Sequence, residues 1–323
     1  MTKASDKELL DRETIDRFVN EKLSPTITLL REIVDYGVHL LNKCGHQGGS
    51  LSDLVITGHF FKHAVTMLDA VEIQLSRGAV FAAGVSARSM LEAYLYLEWL
   101  LKSDTEKRAR QFYVWHLRQK RLWARRAIPG TSEYNRFQKH LDILSDMKDA
   151  AKRKAIEASA RKQDEDLVSI LTNQKNKPIN EEFDKLKKKH FDVAWYCPGG
   201  PNSIADMASR LNLESEYEFF YSQFSDITHV GAFDKHVKFD GKAVIFEPLR
   251  SPESIDTVVN VVASLAFRLF RLIINKYFPD EIKIFTHNYI SQWRTRFLSI
   301  PKVVIKAQKN PQQITPADGN SHR

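Results

Sequence analysis

Cysteine is nearly absent from this chain. Only Cys44 and Cys197 occur among 323 residues, too few for a disulfide framework and too far apart for metal-ligand spacing. A reducing, cytoplasmic setting is therefore the expectation. Glycine (13) and proline (11) are scarce as well, and a chain short of both has few tight turns and favours long helices. There is no phosphate-cradling glycine loop, no dinucleotide fingerprint and no nucleophile elbow, so no cofactor is implied. The opening stretch, MTKASDKELLDRET, lacks the apolar core of a signal peptide. The longest apolar run, 255–274, is broken by Asp256, Asn260, Arg268 and Arg271. That pattern suits a packed helix rather than a membrane span, and no membrane partner is expected.

What remains is an ordinary globular composition, 43% hydrophobic and 27% charged. Lys plus Arg number 48 against 40 Asp plus Glu, a net charge of +8. A basic balance permits a nucleic-acid partner without requiring one.

Read in order, residues 5–22 form a charged amphipathic helix that Ser24-Pro25 is expected to end. Apolar residues recur with helical period over 26–43, and Ser52 is placed to cap a helix running to about Ser76. After the break at Arg77-Gly78, residues 83–103 read as a nearly continuous apolar helix, expected at the centre of the fold. Residues 105–127 carry eight Lys or Arg with interleaved Phe112, Tyr113, Trp115 and Trp123. Composition then turns polar, and 131–190 read as two or three solvated helices. A second aromatic helix is expected over 217–230. A β-hairpin is expected at 235–247, turning on Asp240-Gly241. Helices over 252–277 and 281–299 complete an all-α, multi-helix bundle. The organisation is an N-terminal helix (1–25), the first half of a helical core (26–130), a charged helical insertion (131–190), the second half with the hairpin (191–300) and a disordered tail (301–323).

Two polar rows stand out on apolar helices. Arg88 and Glu92 lie four residues apart inside the 83–103 run, a spacing that stacks them on one face. A buried charge must be paired, so they are either a structural clasp or an arginine held ready for an anion. Tyr221, Ser225 and His229 form a second row at the same spacing. A phenol, a hydroxyl and an imidazole can make a hydrogen-bond chain, and His is the side chain best matched to proton transfer near neutral pH. A packing role weighs about equally with a chemical one for both rows.

Together, RSMLEAYLYL at 88–97 and YSQFSDITHVG at 221–231 resemble a bacterial family catalogued as a domain of unknown function. Its pattern is an Arg-x-x-x-Glu helix followed by a Tyr…Ser-x-x-x-His helix, here Arg88 and Glu92, then Tyr221, Ser225 and His229. The resemblance covers roughly 50–275 and implies an all-helical fold and no established activity. The charged stretch 131–190 looks longer than that pattern needs.

The small bundle ribonucleases of toxin and phage-defence systems offer a second comparison. They are similar in placing Arg and His on one helix, and Arg110 and His116 fit that spacing. With 11 histidines in the chain, about two such matches arise by chance. That alternative site would be dimeric, with His116 as acid or base and Arg110 on phosphate. Arg118, Arg121 and Arg125 are the expected nucleic-acid contacts of the basic helix. His59 and His63 share zinc-helix spacing but lack HExxH and a third ligand, so no metal site is assigned. The expected function is a metal-independent, nuclease-like effector of a bacterial defence or toxin system, acting on RNA or another phosphate-bearing ligand, with a homodimer left open. The alternative is a non-catalytic interaction or scaffold protein in which the polar cluster is structural.

Overall fold

The computed structural model describes residues 9–46, 54–141, 143, 149–186, 193–221, 224, 231–239 and 244–304. The fold is helical with one small antiparallel hairpin. It divides into two compact units, one formed by 1–49, 57–101 and 211–323 and the other by 50–56 and 102–210.

In the first unit, Asp11 caps helix α1 (Arg12–Phe18) by accepting from the Thr14 backbone amide at 3.0 Å. Ser24-Pro25 does not end this helix as expected. A π turn, Val19–Leu23, carries the chain directly into α2 (Ser24–His46). Pro25 is tolerated because it falls in the first turn of α2. The wider turn lies across Glu21, four residues back, where an α-helix would aim a carbonyl at the ring.

Helices α3 (Ile56–Leu75) and α4 (Val80–Lys102) follow, joined by a tight turn. The position proposed as a cap, Ser52, lies outside the described residues. α4 buries Ala83, Ala87, Met90, Leu91, Tyr94, Leu95, Leu97 and Leu100 at 2% exposure or less. Leu30 and Ile33 of α2, and Phe61 and Leu68 of α3, are fully buried in the same unit. Burial of this kind is the main favourable contribution to folding. Gly37 permits close packing: a Cβ there would sit 3.0 Å from Val65 and 3.2 Å from Phe270.

The long apolar run is α11 (Ile255–Tyr277), which follows the short helix α10 (Glu214–Glu216) in this unit. By length and composition it could cross a membrane, yet 61% of its apolar window is buried within the structure, as in a core helix. Its Phe270 meets Phe61 edge-on at 6.1 Å and Tyr36 at 5.4 Å. Helices α12 (Ile282–Asn288) and α13 (Arg294–Leu298) flank a second π turn, Tyr289–Trp293. The segment expected to be a disordered tail begins with order: Val303 is 2% exposed and accepts from the Ser254 amide at 3.3 Å. Residues 305–323 lie outside the described set.

Strands β1 (Val237–Phe239) and β2 (Val244–Phe246) pair antiparallel, Val237 with Phe246 and Phe239 with Val244. The turn pair expected at Asp240-Gly241 falls between these strands. The connecting residues 240–243 lie outside the described set.

In the second unit, α5 (Thr105–Arg125), α6 (Ser132–Leu141), α7 (Ala150–Thr172), α8 (Lys177–Leu186) and α9 (Ile204–Leu211) succeed one another. Val114 and Leu117 of α5 pack with Leu167 and Leu171 of α7 and Ile179 and Phe183 of α8. The charged helices thus bury one sparse apolar stripe each, and α5 shares their core.

Two features of the first unit generate predictions. Gly78 has φ +65°, and a Cβ there would lie 2.4 Å from Ile15 Cγ2. Gly78→Ala should lower stability by about 2 kcal/mol or more, read by urea unfolding. Glu281, 2% exposed, lies 3.0 Å from His39 Nε2 and accepts a hydrogen bond from Lys43. Burial works to raise its carboxyl, but Lys43 and His39 outweigh burial and hold it below the usual carboxylate range. A depressed folded-state value stabilises the fold above the unfolded carboxylate range, and that contribution is lost as pH falls through the folded-state value. Glu281→Gln should therefore lose stability at neutral pH and show a shallower decline on acidification.

Candidate functional site

The polar row of α4 faces the segment that follows helix α10 (Glu214–Glu216). Arg88 Nε lies 3.3 Å from Glu92 Oε1, one helical turn on, with side-chain exposures of 13% and 29%. Arg88 Nη2 donates to the Tyr221 hydroxyl at 2.8 Å. The guanidinium also lies over the Tyr221 ring, 4.6 Å from its centre. One cation therefore joins a carboxylate, a phenol oxygen and an aromatic face. Glu92 lies close enough to Tyr221 for its charge to act on the phenol.

Burial raises the Tyr221 phenol above its ordinary value, and Glu92 adds to this over the opposing pull of Arg88. At neutral pH it is a protonated hydrogen-bond donor, not a phenolate.

A second arginine holds the same segment. Arg268 of α11 donates to Glu216 Oε1 at 2.5 Å and lies near Tyr94 of α4. Tyr94 in turn donates to Glu98 at 2.8 Å. Between the two arginines, Tyr217 and Tyr221 stack at 4.7 Å and 17°. They begin and end a π turn, Tyr217–Tyr221, where the expected aromatic helix was drawn as α. π turns often occur at functional sites.

Of the five residues expected to form the site, the structure brings together Arg88, Glu92 and Tyr221. Ser225 and His229 lie outside the described residues. Sequence reasoning missed Glu216, Arg268, Tyr94 and Glu98. Their available signals were the charge inside the most apolar run and the i, i+4 spacing of Tyr94 and Glu98.

The alternative residues, Arg110 and His116, both lie on α5. Arg110 pairs with Glu106 at 3.0 Å. His116, six positions further along α5, projects roughly 120° away around the axis. Burial, with Lys120 nearby, lowers its pKa.

The three arginines expected to meet nucleic acid each pair with groups of their own unit. Arg118, 8% exposed, donates to Asp184 at 2.9 Å and to the Asn180 side chain at 2.5 Å. Arg121 meets Asp164 at 2.9 Å, and Arg125 meets Glu133 at 3.0 Å. In the first unit, His63 Nε2 lies 2.8 Å from Ser89 Oγ.

A family model described as a family of unknown function, DUF5677, matches residues 54–243, more than half of the chain. The matched stretch contains Arg88, Glu92, Tyr221, Ser225 and His229 and stops short of Arg268. No curated protein and no solved structure matches the chain.

The geometry predicts shared energetics. Arg88→Ala should cost about 2 kcal/mol, and Tyr221→Phe about 1 kcal/mol because the ring remains. The double variant should cost little more than Arg88→Ala alone, since both remove one hydrogen bond. Urea unfolding of the three variants checks this, and simple additivity would show that the groups do not act on each other.

Proposed function

The chain belongs to this family of unknown function, and within it we propose a nuclease-like effector that acts on RNA or a similar phosphate-bearing substrate. The observation that supports this reading is Arg88, a guanidinium only 13% exposed and held by Glu92. Tyr221, its other partner, opens the sequence row that continues with Ser225 and His229.

A fixed guanidinium is suited to bind a phosphate oxygen bidentately and to stabilise charge that develops on it. Exchanging the Tyr221 hydroxyl for a phosphate oxygen would leave the Glu92 pair intact. The protonated phenol is then free to donate to the same phosphate. His229 is the group assigned to proton transfer, since imidazole titrates near neutral pH. A toxin or phage-defence setting fits such an activity, because cleavage of cellular RNA arrests growth.

A second reading is favoured by the two contacts that Arg88 already makes. Its ion pair with Glu92 and its hydrogen bond to Tyr221 can serve as a clasp in a non-catalytic interaction module.

Labelled RNA incubated with the purified chain in chelator separates the two readings. The enzyme reading expects cleavage that falls about a hundredfold or more in His229→Ala and in Arg88→Ala. It expects full activity in Lys283→Ala, an exposed position on α12. If folded wild-type protein leaves RNA intact, and Arg88→Ala and His229→Ala lose stability to a similar extent, the clasp reading stands instead.

A further inference from the structure

The turn between α5 and α6 carries an arginine of a different kind. It is firmly built. The Thr131 hydroxyl donates to the Arg125 carbonyl at 2.6 Å and accepts from the Tyr134 amide at 3.1 Å. The Arg125–Glu133 pair spans the same turn at 3.0 Å. Ile128 and Tyr134 are buried beneath it, at 4% and 5% exposure. Gly130, with φ +87°, completes the reversal.

On this mount the Arg126 guanidinium lies 3.7 Å from the Trp123 ring centre and 4.2 Å from that of Phe137. The His140 ring follows Phe137 at 5.8 Å. Carboxylates hold Arg118, Arg121 and Arg125, but among the described residues none is paired with Arg126. Its charge therefore remains uncompensated while two rings fix its position. Trp123 is 64% exposed, although burying an indole would be favourable. Lys120 and Lys139, also exposed, add positive charge along the same two helices.

We propose that Trp123, Arg126 and Phe137 form a binding platform for single-stranded nucleic acid. Unpaired bases stack on the open faces of the indole and phenyl rings, which any base can do. Arg126, planar and weakly hydrated, meets the backbone phosphate while keeping its ring contacts. A duplex hides its base faces and is a poorer ligand. The platform lies in the second unit and does not depend on the catalytic reading of Arg88 and His229. Binding and cleavage can therefore fail separately.

The test is fluorescence anisotropy of labelled twelve-nucleotide RNA and DNA single strands and a blunt RNA duplex, titrated with the full chain in chelator. Both single strands are expected to bind more tightly than the duplex. Trp123→Ala and Phe137→Ala should each weaken single-strand binding roughly tenfold, the size of one base–aromatic stack. Trp123→Phe should retain most of the affinity. Arg126→Gln should lower the slope of log affinity against log salt by about one. The thermal midpoint of Trp123→Ala should stay near wild type because the indole is exposed. The platform is overturned if the wild-type chain does not bind, or if Trp123→Ala binds as tightly as wild type. It is also overturned if poly-glutamate displaces the strands as well as unlabelled RNA does, which would leave charge alone.

Discussion

The contact on which the first unit's polar interior depends is the Arg88 guanidinium against the Tyr221 hydroxyl, at 2.8 Å. A charge on a helix as apolar as α4 is costly unless something compensates it. Glu92 supplies the opposite charge from the same face, and Tyr221 supplies an acceptor and an aromatic surface from a distant part of the chain. The bond spans 133 positions of sequence, so it fixes where the chain returns after the second unit. Arg268 repeats the device from α11 through Glu216. The segment 214–221 is thereby tied to two helices by two cations, with stacked tyrosines between them. The cluster therefore anchors this segment as well as balancing the charges within it.

The π turns show how local geometry serves that packing. Each adds a residue to a turn and so shifts which side chains face the core beyond it. At Val19–Leu23 the turn joins α1 and α2 across a proline and buries both Val19 and Leu23. At Tyr289–Trp293 it brings Trp293 onto Phe267, stacked at 5.7 Å. At Tyr217–Tyr221 it places two tyrosine rings face to face. A strictly 3.6-residue reading cannot anticipate these shifts, because each is settled by tertiary contacts and not by local propensity.

That explains which parts of the structure were legible in the sequence. Helices α2, α3, α4 and α11 announce themselves through dense apolar periodicity and α5 through its basic residues interleaved with aromatics, and their limits fall close to expectation. The Arg88–Glu92 pair was legible because four-residue spacing on one helix is a local property. Tyr221 was legible because a polar row on an apolar helix needs a partner. Arg268 and Glu216 were not, since neither belongs to a motif and their pairing exists only in three dimensions. The hairpin was legible as well, because alternating residues flank a turn pair, and its strands pair Val237 with Phe246. The helices of 131–190 looked solvated because their apolar stripe is thin. Leu167, Leu171, Ile179 and Phe183 nevertheless suffice when α5 offers Val114 and Leu117 against them.

The basic charge of the chain is best understood by asking what holds each cation. A guanidinium held by a carboxylate contributes little net field, whatever it contributes to packing. Arg118, Arg121 and Arg125 are of this kind, and Lys107 joins them through Glu182 at 3.4 Å. A cation held by aromatic faces keeps its full charge, because a ring quadrupole positions without neutralising. Arg126 on Trp123 and Phe137 is such a case, and Arg88 is intermediate, shared between a ring and a carboxylate. Counting lysines and arginines along α5 therefore overstates its net positive field, since carboxylates offset several of them. Among the described residues no carboxylate pairs with Arg126, and the two rings that hold it leave its charge in place at the turn after Arg125.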